Sequence, residues 1–132
     1  MIERWSFLMY PNDIVEKIDT ERDKINWSDI KSLMVAEQRI ATYNHMIAEK
    51  IAPLHRLATS IDNESYFKYR ETTLADGKKM SQGDSERAAK VDANEARKEY
   101  ELCLYVFKGT QDLMISIRRR LKYYENERFG DK

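Results

Sequence analysis

Two stretches of this chain set cations beside flat rings. Tyr66, Phe67, Lys68, Tyr69 and Arg70 form one run, and Lys78 and Lys79 follow shortly after. Arg118, Arg119, Arg120, Lys122, Tyr123 and Tyr124 form the second. Cations attract phosphates, and aromatic rings stack on unpaired bases; sequence-tolerant single-strand binders combine the two. The same residues have a plainer reading. Cations near a helix C-terminus are favoured by its dipole, and Tyr66, Phe67 and Tyr124 are candidates for the core.

Other chemistry finds little material. His45 and His55 are out of phase on a helix, at about 100° per residue, and do not make a compact metal pair. There is no Cys-x-x-Cys, no His-Glu-x-x-His and no glycine-rich phosphate loop. All-α nucleotide pyrophosphohydrolases hold magnesium with paired carboxylates on facing helices. Glu16 with Asp19, and Asp92 with Glu95, have that spacing, but Glu37 and Glu49 stand alone. Such spacings are common on solvated helices, where they serve ion pairing. The expectation is no catalytic residue, no metal ligand, no cofactor and no enzyme.

The elements that position the two basic runs are helical. Leu33, Ile40, Ile47, Leu54 and Ile61 recur every seven residues, beside Ile30, Glu37, Asn44, Ile51 and Ala58. This is the coiled-coil period, a surface built to bury against another helix. A heptad helix is predicted over residues 28–76, capped by Ser28 or Asn26. Pro53 lies inside it and removes one backbone donor. A kink and a break both stand as readings, and phase retention across the proline favours the kink. The polar run Ser60–Ser65 is a second candidate interruption. Asn44 at a core-type position reads either as a water-exposed gap in the seam or as a register-setting polar pair between subunits.

Ahead of this helix, residues 1–27 comprise two parts, the first an N-terminal docking segment with Trp5, Phe7, Leu8, Met9 and Tyr10. A short helix follows, opened by Pro11 and capped by Asn12 or Asp13, with Ile14, Val15 and Ile18 on one side. Asp76-Gly77 is predicted to end the heptad helix, and residues 77–84 to form a loop. A last helix over 85–127, capped by Asp84 or Ser85, carries Val91, Tyr100, Cys103, Val106, Phe107, Leu113, Met114, Ile117, Leu121 and Tyr124 as its apolar stripe. Gly109 interrupts it, at about 1 kcal/mol against alanine, which suggests a close helix crossing. The architecture expected is one all-α domain over residues 1–132, a long helical hairpin that self-associates.

Composition agrees. In 132 residues there are 4 glycines and 2 prolines, while 35% are charged. Net charge is formally zero, so no global field draws the protein to nucleic acid or membrane. Charge is nonetheless segregated: residues 108–122 hold five basic side chains against one acidic one, Asp112. A single cysteine, Cys103, makes no intrachain disulfide and reads as a buried apolar residue. No apolar run approaches the ~20 residues of a membrane helix, and the first ten residues lack a signal-peptide shape. The expectation is a protein of a reducing, cytoplasmic compartment.

With these features in order, the chain resembles the UvsY-like recombination mediators of tailed phages. Phe67-Lys68-Tyr69-Arg70 followed by Asp76-Gly77 is similar to the family's lysine-x-arginine segment ahead of a glycine turn, which contributes to DNA binding. Lys90-Val91-Asp92, Tyr100, Ser116-Ile117-Arg118 and Arg128-Phe129-Gly130 echo its C-terminal half. The likeness covers roughly residues 60–132. Thr72-Thr73-Leu74-Ala75-Asp76-Gly77 replaces the family's Tyr-Tyr-Ser-Gly type turn. The resemblance implies a homo-oligomeric helical protein of the host-cell cytoplasm that binds single-stranded DNA. It would help a RecA-like recombinase displace a single-strand-binding protein. Lys68 and Arg70 are carried over as phosphate contacts, flanked by Lys78 and Lys79. Arg118, Arg119 and Lys122 are a second group, and Tyr66 and Tyr69 are candidate stacking partners. The rival reading is a small phage-type helical adapter or inhibitor that binds a protein through its apolar stripe.

Overall fold

The computed structural model describes residues 10–129, and these are all-α. Helix α1 spans Pro11–Asp23, α2 Ile30–Glu71, α3 Gln82–Asp92 and α4 Asn94–Phe129. Long helices pack antiparallel, as the heptads predict. The apolar segment Trp5–Met9 and the C-terminal Gly130 lie outside the described residues.

Helix α2 runs unbroken for 42 residues, through both Pro53 and the Ser60–Ser65 stretch. A break at either place is therefore excluded. The polar residues of Ser60–Ser65 remain helical because their flanks keep the buried stripe in phase. Its start differs from expectation. Asp29, rather than Ser28 or Asn26, caps it, its carboxylate accepting from the Lys31 amide at 3.2 Å. Asn26 instead turns back on the Ser28 amide at 3.1 Å. Helix α1 has no side-chain cap: Tyr10 stands at its N-cap, Pro11 occupies the first helical position, and Asn12 and Asp13 lie inside the helix.

The end of α2 also differs. The helix stops at Glu71, five residues before Asp76-Gly77, because the chain folds into a small hairpin. Thr73 and Lys79 pair as an antiparallel bridge. The Leu74 amide donates to the Lys78 carbonyl at 2.7 Å, and the Gly77 amide closes the turn on Leu74 at 2.9 Å. Gly77 does take a positive φ, +82°, but as the hairpin's turn residue rather than a helix cap. The predicted single helix over 85–127 is two helices. Ser81 caps α3, its hydroxyl accepting from the Asp84 amide at 3.1 Å, where Asp84 or Ser85 was expected. Ala93 then interrupts the helix as a one-residue turn.

The chain forms two compact units. Residues 10–49 and 103–129 make the first, and Lys50–Leu102 the second. In the first unit Leu33, Ala36, Ile40 and Ile117 form a buried cluster, covered by Ile25, Leu113, Met114, Leu121 and Tyr124. Ile14, Ile18, Ile47 and Cys103 are buried in the same unit, as predicted. Asn44 is 6% exposed, so it is no water-exposed gap, and its Oδ1 has no hydrogen-bond partner among the described residues. The second unit buries Ala58, Ala89, Ala93 and Ala96. Its helices meet in antiparallel order: Tyr69 opposite Asp92, Asp62 opposite Arg97 at 3.4 Å, and His55 against the Tyr100 ring at 5.0 Å.

Two expectations about the predicted last helix fail. Gly109 has open space where a Cβ would stand, so no close crossing explains it. Val91, assigned to the apolar stripe, is 74% exposed, because the turn at Ala93 resets the helical phase.

Candidate nucleic-acid interface

The last two turns of α2 and the hairpin after them gather six of the predicted residues in the second unit: Tyr66, Lys68, Tyr69, Arg70, Lys78 and Lys79. They divide into two kinds. Arg70 donates from Nη1 to the Met80 carbonyl at 2.8 Å, tying the hairpin's far end back to α2. Tyr69 donates its hydroxyl to the Asp92 carboxylate. That bond and the nearby negative charge hold the phenol above its ordinary pKa. Both side chains act as latches. Tyr66 is half-buried, with the Phe67 ring edge-on to it at 5.4 Å.

Lys68, Lys78 and Lys79 are the second kind. All three are exposed, and among the described residues no carboxylate pairs with them. Lys68 sits in the last turn of α2, where the helix dipole favours a cation. Lys78 and Lys79 are neighbours on extended chain, whose side chains alternate, so they serve opposite sides of the hairpin. Phe67 is 64% exposed beside Lys68. It is the open ring of this group, where Tyr66 and Tyr69 had been named. Helical phase holds the signal. Tyr66, Tyr69 and Arg70 lie three and four apart on the face that continues from Ala58 and Asp62. Phe67 and Lys68 fall on the opposite face.

The other predicted residues, Arg118, Arg119 and Lys122, belong to the first unit. Arg118 Nε lies 3.6 Å from Glu37 on α2, an ion pair across the helices. Arg119 and Lys122 are exposed and without such a partner among the described residues. Arg119 borders a shallow recess of about 560 Å³ with Trp27, Ser116, Arg120 and Tyr123. Trp27 has no signal in the local sequence, because it meets α4 only through the tertiary fold.

One carboxylate of each pair considered for magnesium has a partner. Asp19 is paired with Arg22 at 2.7 Å, and Asp92 accepts from Tyr69. Among the described residues no group of three or more His, Cys, Asp or Glu is placed to hold a metal ion. None of their helices is long and apolar enough to cross a membrane. No protein-family model, no curated protein and no solved structure matches the chain.

Proposed function

We propose that this chain is a non-enzymatic recombination mediator that binds single-stranded DNA as a homo-oligomer in the host-cell cytoplasm. It helps a RecA-like recombinase displace a single-strand-binding protein. The observation that carries this reading is the set of exposed lysines without a carboxylate partner among the described residues, Lys68 in the last turn of α2 with the exposed Phe67 beside it, and Lys78 and Lys79 on the hairpin that follows. Phosphates would meet the lysines, and a base would stack on the ring. Arg70 and Tyr69 support the site by holding the hairpin in place. Exposed apolar side chains, among them Met34, Leu57 and Tyr105, support self-association. Repetition of a modest cationic site around an oligomer would raise affinity for a continuous strand.

The test is fluorescence anisotropy of a labelled single-stranded oligonucleotide across a salt titration. Each phosphate contact on a single strand contributes ~0.7 to the log–log salt slope. Replacing Lys68, Lys78 and Lys79 by alanine is therefore expected to reduce the slope by about 2 and leave the oligomer's size unchanged. Folded protein that binds no strand at low salt would sink the reading. The adapter reading would then take over, since the same exposed Met34, Leu57 and Tyr105 can meet a protein partner.

A further inference from the structure

The recess beside Arg119 has the composition of a second nucleotide site. Ser116, Arg119, Arg120 and Tyr123 recur at helical spacing and form one face of α4. Trp27, in the connection between α1 and α2, lines the recess with them. Its backbone is clamped: the Trp27 carbonyl accepts from Tyr124 Oη at 2.8 Å and from Arg120 Nε at 3.4 Å. The Arg120 guanidinium also lies over the Tyr123 and Tyr124 rings, 6.0 and 5.5 Å from their centroids. Arg120 is therefore a positioning residue, committed to holding the connection and the rings.

With Arg120 engaged, two ring systems and the Arg119 cation remain for a ligand at the recess. The Trp27 indole is 37% exposed and Tyr123 55%. The buried cluster of this unit is covered by Ile25, Leu113, Met114, Leu121 and Tyr124. Among the described residues no carboxylate lines the recess. Flat rings beside an unpaired guanidinium, without an acid, complement a planar base carrying a phosphate.

We propose that Trp27 and Tyr123 stack one unpaired base of a single strand while Arg119 holds its phosphate. The inference rests on the single-strand reading, and places a second contact for the strand on the first unit.

The chain has two tryptophans, so a Trp5→Phe variant leaves Trp27 as the sole indole reporter. A short oligothymidylate is expected to quench its emission, whereas an abasic deoxyribose-phosphate strand of equal length is not. In the same background Trp27→Ala is expected to weaken binding about tenfold, with Trp27→Tyr retaining most of the affinity. Unchanged Trp27 emission while anisotropy shows the strand bound would overturn this inference and leave the lysine site standing. Thymidine monophosphate separates the two readings in the opposite case. If it quenches Trp27 in a protein that binds no long strand, the recess stands and the mediator reading falls. If neither strand nor mononucleotide has an effect, both fall. Equal quenching by an acidic peptide would also overturn the assignment to a base.

Discussion

Helices α2 and α4 contribute to both units of this protein, α1 only to the first and α3 only to the second, and the two are packed with different residues. The first unit buries Ile14, Ile18, Leu33, Ile40, Ile47 and Ile117; the second buries Ala58, Ala89, Ala93 and Ala96. A fully buried isoleucine or leucine contributes roughly 1.5–3 kcal/mol relative to exposure. Alanine offers little area but lets backbones approach. Polar ties join elements in the second unit: Arg70 to the Met80 carbonyl, Tyr69 to Asp92, Arg97 to Asp62. The proposed DNA lysines sit in this unit, whose buried side chains are small.

The contrast can be broken at its strongest point by emptying the larger core. Ile40 is fully buried at the centre of the first unit's cluster. Ile40→Ala is expected to destabilise the protein by about 2–5 kcal/mol, read from urea denaturation. An effect below 1 kcal/mol would mean that this core can collapse around the loss. The second unit should fail in the opposite sense. Ala93 is fully buried at the turn between α3 and α4, where a larger side chain finds no space. Ala93→Leu is expected to cost about 1–3 kcal/mol by overpacking, measured in the same way. A gain in stability would show that the alanine face is underfilled rather than close-packed.

The smallest effect concerns the start of α3. Asp84 accepts hydrogen bonds from Arg87 and Ser81, which hold its carboxyl below the usual carboxylate range. A depressed native pKa contributes stability that is present above the unfolded value, about 3.9, and is lost as pH falls through the lower folded value. The stability difference between the wild type and Asp84→Asn should therefore be largest near neutrality. It should vanish in acid below the folded value, as followed by denaturation at a series of pH values. A difference that grows on acidification would contradict the assignment.

Much of the fold was legible because period is a property of sequence. Leu33, Ile40 and Ile47 declare the first unit's seam, and all three are fully buried. Leu54 and Ile61, in the same series, are only half-buried, because the facing helix offers alanines and not large side chains. The caps were harder to read, since Asn26, Ser28 and Asp29 are all competent and the choice depends on how the chain enters α2. The turn at Ala93 has no local signal, alanine being the best helix former. At the candidate sites the residue types were visible but their assignments were not. That Arg70 and Arg118 are tied to Met80 and Glu37 depends on tertiary partners. The Trp27 clamp joins residues 93 and 97 positions apart, far beyond any local pattern.

Pro53 has a consequence of its own. Lacking an amide hydrogen, it leaves the Glu49 carbonyl without its helical donor. Glu49 is also the last α2 residue of the first unit, and Lys50 begins the second. The missing rung in the backbone ladder thus coincides with the residue at which packing changes partners. Helix propagation is cooperative because each hydrogen bond fixes the next residue, and at this rung that coupling is weakest. A 42-residue rod would otherwise transmit fraying along its whole length. Here the proline works as a firebreak: melting that starts at the hairpin end meets its weakest coupling before it reaches the isoleucine core.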